Sequence, residues 1–150
     1  MNTLKYMSSI FCHKIPHPVV SYTENPRQVV RATVKTLLLT GTYPLQVTKH
    51  KMKKSTTPTC LLCHRLKEDT HHFIMECHAL RYTRSLYMPR IKDIMPKNLK
   101  IPLLYAILDS RSLIKYKRLN IKQTEAITRD FIYALHIARS NMLDPTKSRS

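Results

Sequence analysis

The sequence predicts a mostly α-helical protein, a small helical domain with a CCHC zinc knuckle inserted in it and with disordered termini. Three observations predict this. The chain has one glycine in 150 residues, and hairpin turns draw heavily on glycine, so a many-stranded β architecture is disfavoured. Two long stretches carry apolar residues at helical spacing, each opened by an asparagine cap. Three of the four cysteines fall with His72 in the array Cys60-x2-Cys63-x8-His72-x4-Cys77, a spacing that suits a metal-organised knuckle.

Residues 1–24 show no clear period and end in Ile15-Pro-His-Pro18, which favours extended chain, so they read as a linker. A helical segment with a basic lead-in follows over 25–57. Asn25 is its N-cap, Pro26 occupies the first helical position and Gln28 the third, from which it can return a capping bond. Val30, Val34, Leu37 and Leu38 follow at helical spacing, and Gly41 stops the helix. Arg27, Arg31 and Lys35, spaced by four, form the opposite side, read either as a solvated face or as a phosphate-contacting ridge. A short helical piece after Tyr43-Pro44 leads into the basic run His50 to Lys54.

Residues 58–88 form the CCHC module, 89–143 a C-terminal helical region and 144–150 a polar tail expected to be disordered. Pro89 and Pro96 are expected to break the helix that follows the knuckle, and an apolar helix is expected near Pro102 to Leu108. Asn120 with Gln123 repeats the capping pattern. Ala126, Ile127, Phe131, Ala134, Leu135 and Ala138 then make a core-facing stripe reaching about Met142.

Two thiols around two residues aim both sulfurs at one point, and a later imidazole and thiolate complete a tetrahedron around a borderline-soft cation. Four protein ligands leave no open position, which describes one structural Zn2+ per chain rather than a catalytic ion. The spacing leaves the histidine open between His72 and His71. If residues 70–87 were one helix, His72 and Cys77 would lie about 140° apart around it, so the first turn must be distorted or the helix must begin later. Without a metal, Cys60, Cys63 and Cys77 would be buried thiols or a disulfide, which leaves His64, His71, His72 and His78 unexplained. Cys12 stands outside the set as a free thiol.

Lys and Arg number 26 against 9 Asp and Glu, a formal charge of +17, with a pI near 10.1. Such a surface seeks polyanions, nucleic acid first and an anionic membrane face second. The longest apolar stretches, such as Ile101 to Leu108, are far shorter than the ~20 residues of a membrane helix. The N-terminal stretch is too interrupted for a secretory signal. An intracellular location, nuclear or cytoplasmic, follows, where thiols stay reduced.

Catalytic motifs are absent: there is no P-loop, dinucleotide-binding loop, HExxH or nucleophile elbow. Glu68, Asp69 and Asp130 are read as solvated acids rather than Mg2+ ligands. The chain is therefore not expected to be an enzyme. Leu61, Leu62 and Phe73 either face unstacked bases or form the mini-core of the knuckle.

Leu37-Leu-Leu-Thr-Gly-Thr-Tyr-Pro-Leu-Gln46, then Pro58-Thr-Cys-Leu-Leu-Cys63, then Glu68-Asp-Thr-His-His-Phe-Ile-Met-Glu-Cys77 resemble the region downstream of the polymerase in non-LTR retrotransposon reverse transcriptases. Glu24 to Arg27 and Glu125 to Ser140 are similar to its flanks, so the resemblance spans about residues 15–145. It implies Cys60, Cys63, His72 and Cys77 as zinc ligands, favouring His72 over His71. It also implies a role in holding template RNA or target DNA, with other retroelement domains as partners. Lys49, Lys51, Lys53, Lys54, Arg81 and Arg84 are the expected phosphate contacts. The chain departs from the pattern where His64 follows the second cysteine in place of glycine, and where His78 follows the last ligand in place of proline. The polymerase motifs Tyr-x-Asp-Asp and Phe-Ala-Asp-Asp are missing, so the resemblance implies a separated C-terminal piece that cannot reverse-transcribe alone. The rival readings are a protein-interaction module that docks through the Phe131 stripe and a non-functional retroelement remnant.

Overall fold

The computed structural model describes residues 18–149, in which six α-helices form one bundle. The expectations for 1–17, including the Cys12 thiol, lie outside the described residues. Helix α1 is a single turn, Pro18–Ser21. It is followed by α2, Pro26–Thr40, and α3, Gln46–Lys51. After the knuckle come α4, Arg81–Ile94, α5, Leu103–Leu108, and the long α6, Ile121–Leu143. Among the described residues the sole β pairing is one antiparallel bridge, Thr59 with Lys67. A 3₁₀ helix, Pro145–Arg149, is the last described element and stands where a disordered tail was expected; Asp144 holds its entry, its side chain accepting from the Thr146 N–H at 3.3 Å.

The local signals act as expected at both long helices. The Asn25 side chain accepts from the Gln28 N–H at 3.1 Å, and Gln28 Oε1 accepts from the Glu24 N–H at 2.6 Å, one residue upstream of the cap. Such a cap contributes about 1 kcal/mol. Gly41 takes φ 75° and donates to the carbonyls of Leu37 and Leu38, a left-handed cap that suits glycine. Asn120 repeats the N-cap, accepting from the Gln123 N–H at 3.0 Å.

Helix α6 is the spine of the bundle. Its Ile127, Phe131, Ile132 and Leu135 are buried in one core with Leu38 and Leu39 of α2, Ile91 of α4 and Ile107 of α5. Burying each side chain of this size contributes about 2 kcal/mol. Phe131 is fully buried, so it is not a surface that a partner could use.

Several expectations are corrected. Val30 is exposed, and the buried side of α2 is instead Ala32, Val34, Lys35, Leu38 and Leu39. A step of four residues advances about 40° around a helix, so the row Arg27, Arg31, Lys35 winds from the surface into the seam. Arg27 is exposed, Arg31 pairs with Asp130 at 2.6 Å, and Lys35 is completely buried. Lys35 Nζ donates to Glu125 Oε2 at 2.8 Å and to Thr128 Oγ1 at 2.9 Å. The basic row is therefore neither a solvated face nor a phosphate ridge.

Pro89 does not break α4; it sits on the exposed side of a continuous helix, where water can take the carbonyl that proline leaves without a donor. Pro96 does act as expected, because Met95 before it is extended at φ −72° and ψ 147°. Residues 18–24 are packed rather than a free linker. Val19 is buried, and Arg129 of α6 donates to the carbonyls of Tyr22 at 2.8 Å and Val19 at 3.1 Å. The knuckle is built into the bundle: Cys60, Phe73, Ile74, Cys77 and Leu80 belong to the same core, and α4 runs straight through the boundary expected at 88/89.

Candidate metal centre

Cys60, Cys63, His72 and Cys77 come together, with one ligand atom from each lying within 4.8 Å of the others, and this group can hold a metal ion. The first two sit on a tight hairpin. Cys60 N–H donates to Leu66 O at 2.8 Å, His64 N–H to Cys60 O at 2.9 Å and Glu68 N–H to Pro58 O at 2.9 Å. Closing the turn requires a left-handed residue, and His64 supplies it at φ 56°.

The second pair sits on an irregular helix start. The Asp69 side chain accepts from the His72 N–H at 2.8 Å, opening a turn that runs as a π-helix over His72–Glu76. It closes when the Cys77 N–H donates to His72 O at 2.7 Å, a bond spanning five residues. The wider turn brings residues five apart onto one side, removing the 140° conflict of a regular helix. A 3₁₀ turn, His78–Leu80, then leads into α4.

Within the cluster the Cys60 and Cys77 sulfurs are 3.9 Å apart, and His72 Nε2 is 3.3 Å from the Cys63 sulfur. A tetrahedron with its centre about 2.3 Å from each sulfur has edges of about 3.8 Å, close to these two separations, and the remaining ones stay within 4.8 Å. His72 is buried, and its Nδ1 has no hydrogen-bond partner. Glu76 Oε2 lies 3.8 Å from that nitrogen, outside hydrogen-bond reach. His71 points outward. It is half exposed, with Nδ1 3.1 Å from Glu76 Oε1, and is not part of the cluster.

Burial, reinforced by the neighbouring Cys60, pushes the Cys77 thiol up to about 12, and burial also raises Cys60. Cys63 is drawn down: burial opposes this, but the backbone N–H groups of Arg65 and Leu66 outweigh it. The buried Cys60 and Cys77 thus resist ionising together, and a divalent cation would relieve that repulsion.

Of the expected phosphate contacts, Lys51, Lys53, Lys54 and Arg81 are exposed and Lys49 is partly so. Arg84 is turned inward, its Nε donating to Ile74 O at 2.9 Å and one Nη to Cys77 O at 3.1 Å. It braces the irregular turn through these two carbonyls, that of Cys77 also accepting from the Leu80 N–H at 3.1 Å. Phe73 is buried and stacks on Tyr43 with ring centroids 5.5 Å apart, Leu62 packs against the core, and Leu61 is exposed. Phe73 and Leu62 thus serve the core, and neither is presented to bases.

Glu68 is buried, contrary to its reading as a solvated acid. Its Oε2 accepts from the Gln46 N–H at 3.0 Å and from Arg139 Nη2 at 3.2 Å. Burial and Glu68 act in opposite senses on Arg139, and the carboxylate prevails, holding the guanidinium above its usual value. The interior roles of Arg84, Glu68 and Arg139 escaped the sequence reading, which took Arg84 for a phosphate contact and Glu68 for a solvated acid, because their partners are not marked by spacing. Asp69, three residues before His72, carries an N-cap spacing that its reading as a solvated acid passed over.

Among the described residues no helix is long and apolar enough to cross a membrane. Comparison with protein-family models, with curated proteins and with solved structures gives no match to this chain.

Proposed function

We propose that the chain is a zinc-stabilised nucleic-acid-binding module that holds RNA or DNA without catalysis of its own. The observation that carries this reading is the rigid union of the basic helix α3 with the knuckle. Val47 N–H donates to Glu68 O at 3.3 Å, and Gln46 Nε2 donates to Ser55 Oγ at 3.1 Å. Lys51 thereby lines one pocket with Asp69, Thr70 and His71 of the knuckle, the exposed Lys53 and Lys54 follow it, and the exposed Arg81 opens α4 four residues after Cys77. A fixed cationic surface captures a phosphate backbone through counterion release, and the exposed Leu61, Leu66 and Tyr82 supply apolar contact for unstacked bases.

Three thiolates and one imidazole favour zinc over harder cations, and with no position left for water its role is to hold the fold. Such a module suits a reducing compartment, nuclear or cytoplasmic. The resemblance to the segment downstream of the polymerase in non-LTR retrotransposon reverse transcriptases agrees with this reading, and its other domains would be the partners.

Elemental analysis of purified protein should find one zinc per chain, lost in His72→Ala and kept in His71→Ala. Chelation should melt the bundle in one transition, because the ligands share its core. Binding to labelled single-stranded RNA and DNA should weaken steeply between about 50 and 200 mM salt. Zinc-free protein of unchanged helicity, or binding indifferent to salt, would sink the reading.

A further inference from the structure

At the far end of α4 from the knuckle, Ile94 and residues 96–98 face residues 115–119 across a cleft of about 520 Å3. Helix α4 starts beside the last cysteine and ends at Ile94, which places the cleft about 20 Å away along its axis. The cleft walls are held by the fold. Tyr116 N–H donates to Leu113 O and Leu119 N–H to Tyr116 O, both at 3.0 Å, and the Tyr116 hydroxyl accepts from the Lys100 N–H at 3.2 Å.

The lining has two characters. Ile94, Tyr116 and Leu119 are partly buried and give an apolar floor. Lys97, Lys115, Lys117 and Arg118 are exposed around it. Among the described residues none of these four pairs with a carboxylate, and Lys115 instead lies over the Tyr116 ring at 5.4 Å. No acid lines the cleft. Across 95–119 the one acidic residue is Asp109, which is buried.

We infer that this cleft is a second site, independent of the metal centre, which seats a nucleotide unit of single-stranded nucleic acid. The floor takes the face of a base, and the four cations take the phosphates on either side of it. A duplex hides its base faces and would leave the floor unused. A membrane surface calls for protruding apolar groups rather than a recessed floor. This inference takes its ligand class from the function proposed above and adds where and in what form the ligand is held.

The test is fluorescence anisotropy of the full chain with a labelled single strand of about 16 nucleotides, across about 50 to 200 mM salt. The cleft variant is Lys97→Gln, Lys117→Gln and Arg118→Gln combined. The knuckle variant is Lys51→Gln, Lys53→Gln, Lys54→Gln and Arg81→Gln combined. Circular dichroism checks that each stays folded. Losing three phosphate contacts lowers the salt slope by about 2, and Lys97→Arg with Lys117→Arg should restore most of it. The cleft variant should also weaken the single strand more than a duplex of equal length.

A cleft variant that matches the parent while the knuckle variant falls overturns the second site and leaves the proposed function standing. A parent that binds neither RNA nor DNA overturns both. Equal losses for duplex and single strand overturn the seating of a base. Loss of binding to an acidic peptide, with nucleic acid unaffected, overturns the ligand class.

Discussion

Arg139 in α6 and Glu68 in the knuckle form a buried ion pair across 71 residues of sequence. Arg139 Nη2 also donates to Pro44 O at 3.3 Å, and the Glu68 carboxylate also accepts the Gln46 N–H. One carboxylate therefore ties the helix carrying the basic run, the metal-binding hairpin and the spine of the bundle together.

Removing one partner leaves the other buried and unpaired. Arg139→Ala should lower the unfolding free energy by about 3–5 kcal/mol, read by urea denaturation. A double-mutant cycle with Glu68→Gln should show strong coupling; additive losses would mean that the pair does not act as a unit.

The buried Lys35 gives a second contrast. Burial pulls its ammonium below the usual value, with Glu125 opposing that pull. Lys35→Ala leaves Glu125 only Arg129 and Ser110 as partners beside an unfilled gap and should cost about 3 kcal/mol, whereas Arg27→Ala should stay within about 0.5 kcal/mol. Equal effects on denaturation midpoints would contradict the burial of Lys35.

His64 holds a left-handed backbone that costs a residue with a side chain about 1 kcal/mol. His64→Gly should therefore raise the melting temperature by about 2–4 °C and leave the bound zinc unchanged. A lower melting temperature would mean that the imidazole itself contributes to the turn.

His136 supplies a pH dependence. Its Nδ1 lies 2.7 Å from the Tyr43 hydroxyl, and burial together with Arg139 lowers its pKa below the usual 6.5. The unfolded chain thus binds the proton at a higher pH than the folded one does. The stability from this group is full above 6.5 and is lost as pH falls through the depressed folded value. His136→Gln should flatten the decline of melting temperature below that pH; an identical profile would assign the decline to other groups.

The sequence by itself determined what is local. Asn25, Asn120 and Gly41 bound their helices because a cap is a contact within a few residues. The cysteine spacing identified the cluster because a knuckle is a short hairpin. The near absence of glycine pointed to helices.

Only the tertiary structure decided which polar residues are interior. Spacing by four made Lys35 look like part of an exposed face, yet its partner Glu125 is 90 residues away, and Glu68 waits for Arg139 across 71. A charge is admitted to the core by a counter-charge in three dimensions, which no periodicity in the chain records. Spacing alone also left His72 and His71 open, and the tertiary structure places His72 in the cluster. The chain cannot place Cys77 on the His72 side with a regular helix, and packing Phe73 and Ile74 into the core accompanies the wider turn that does so.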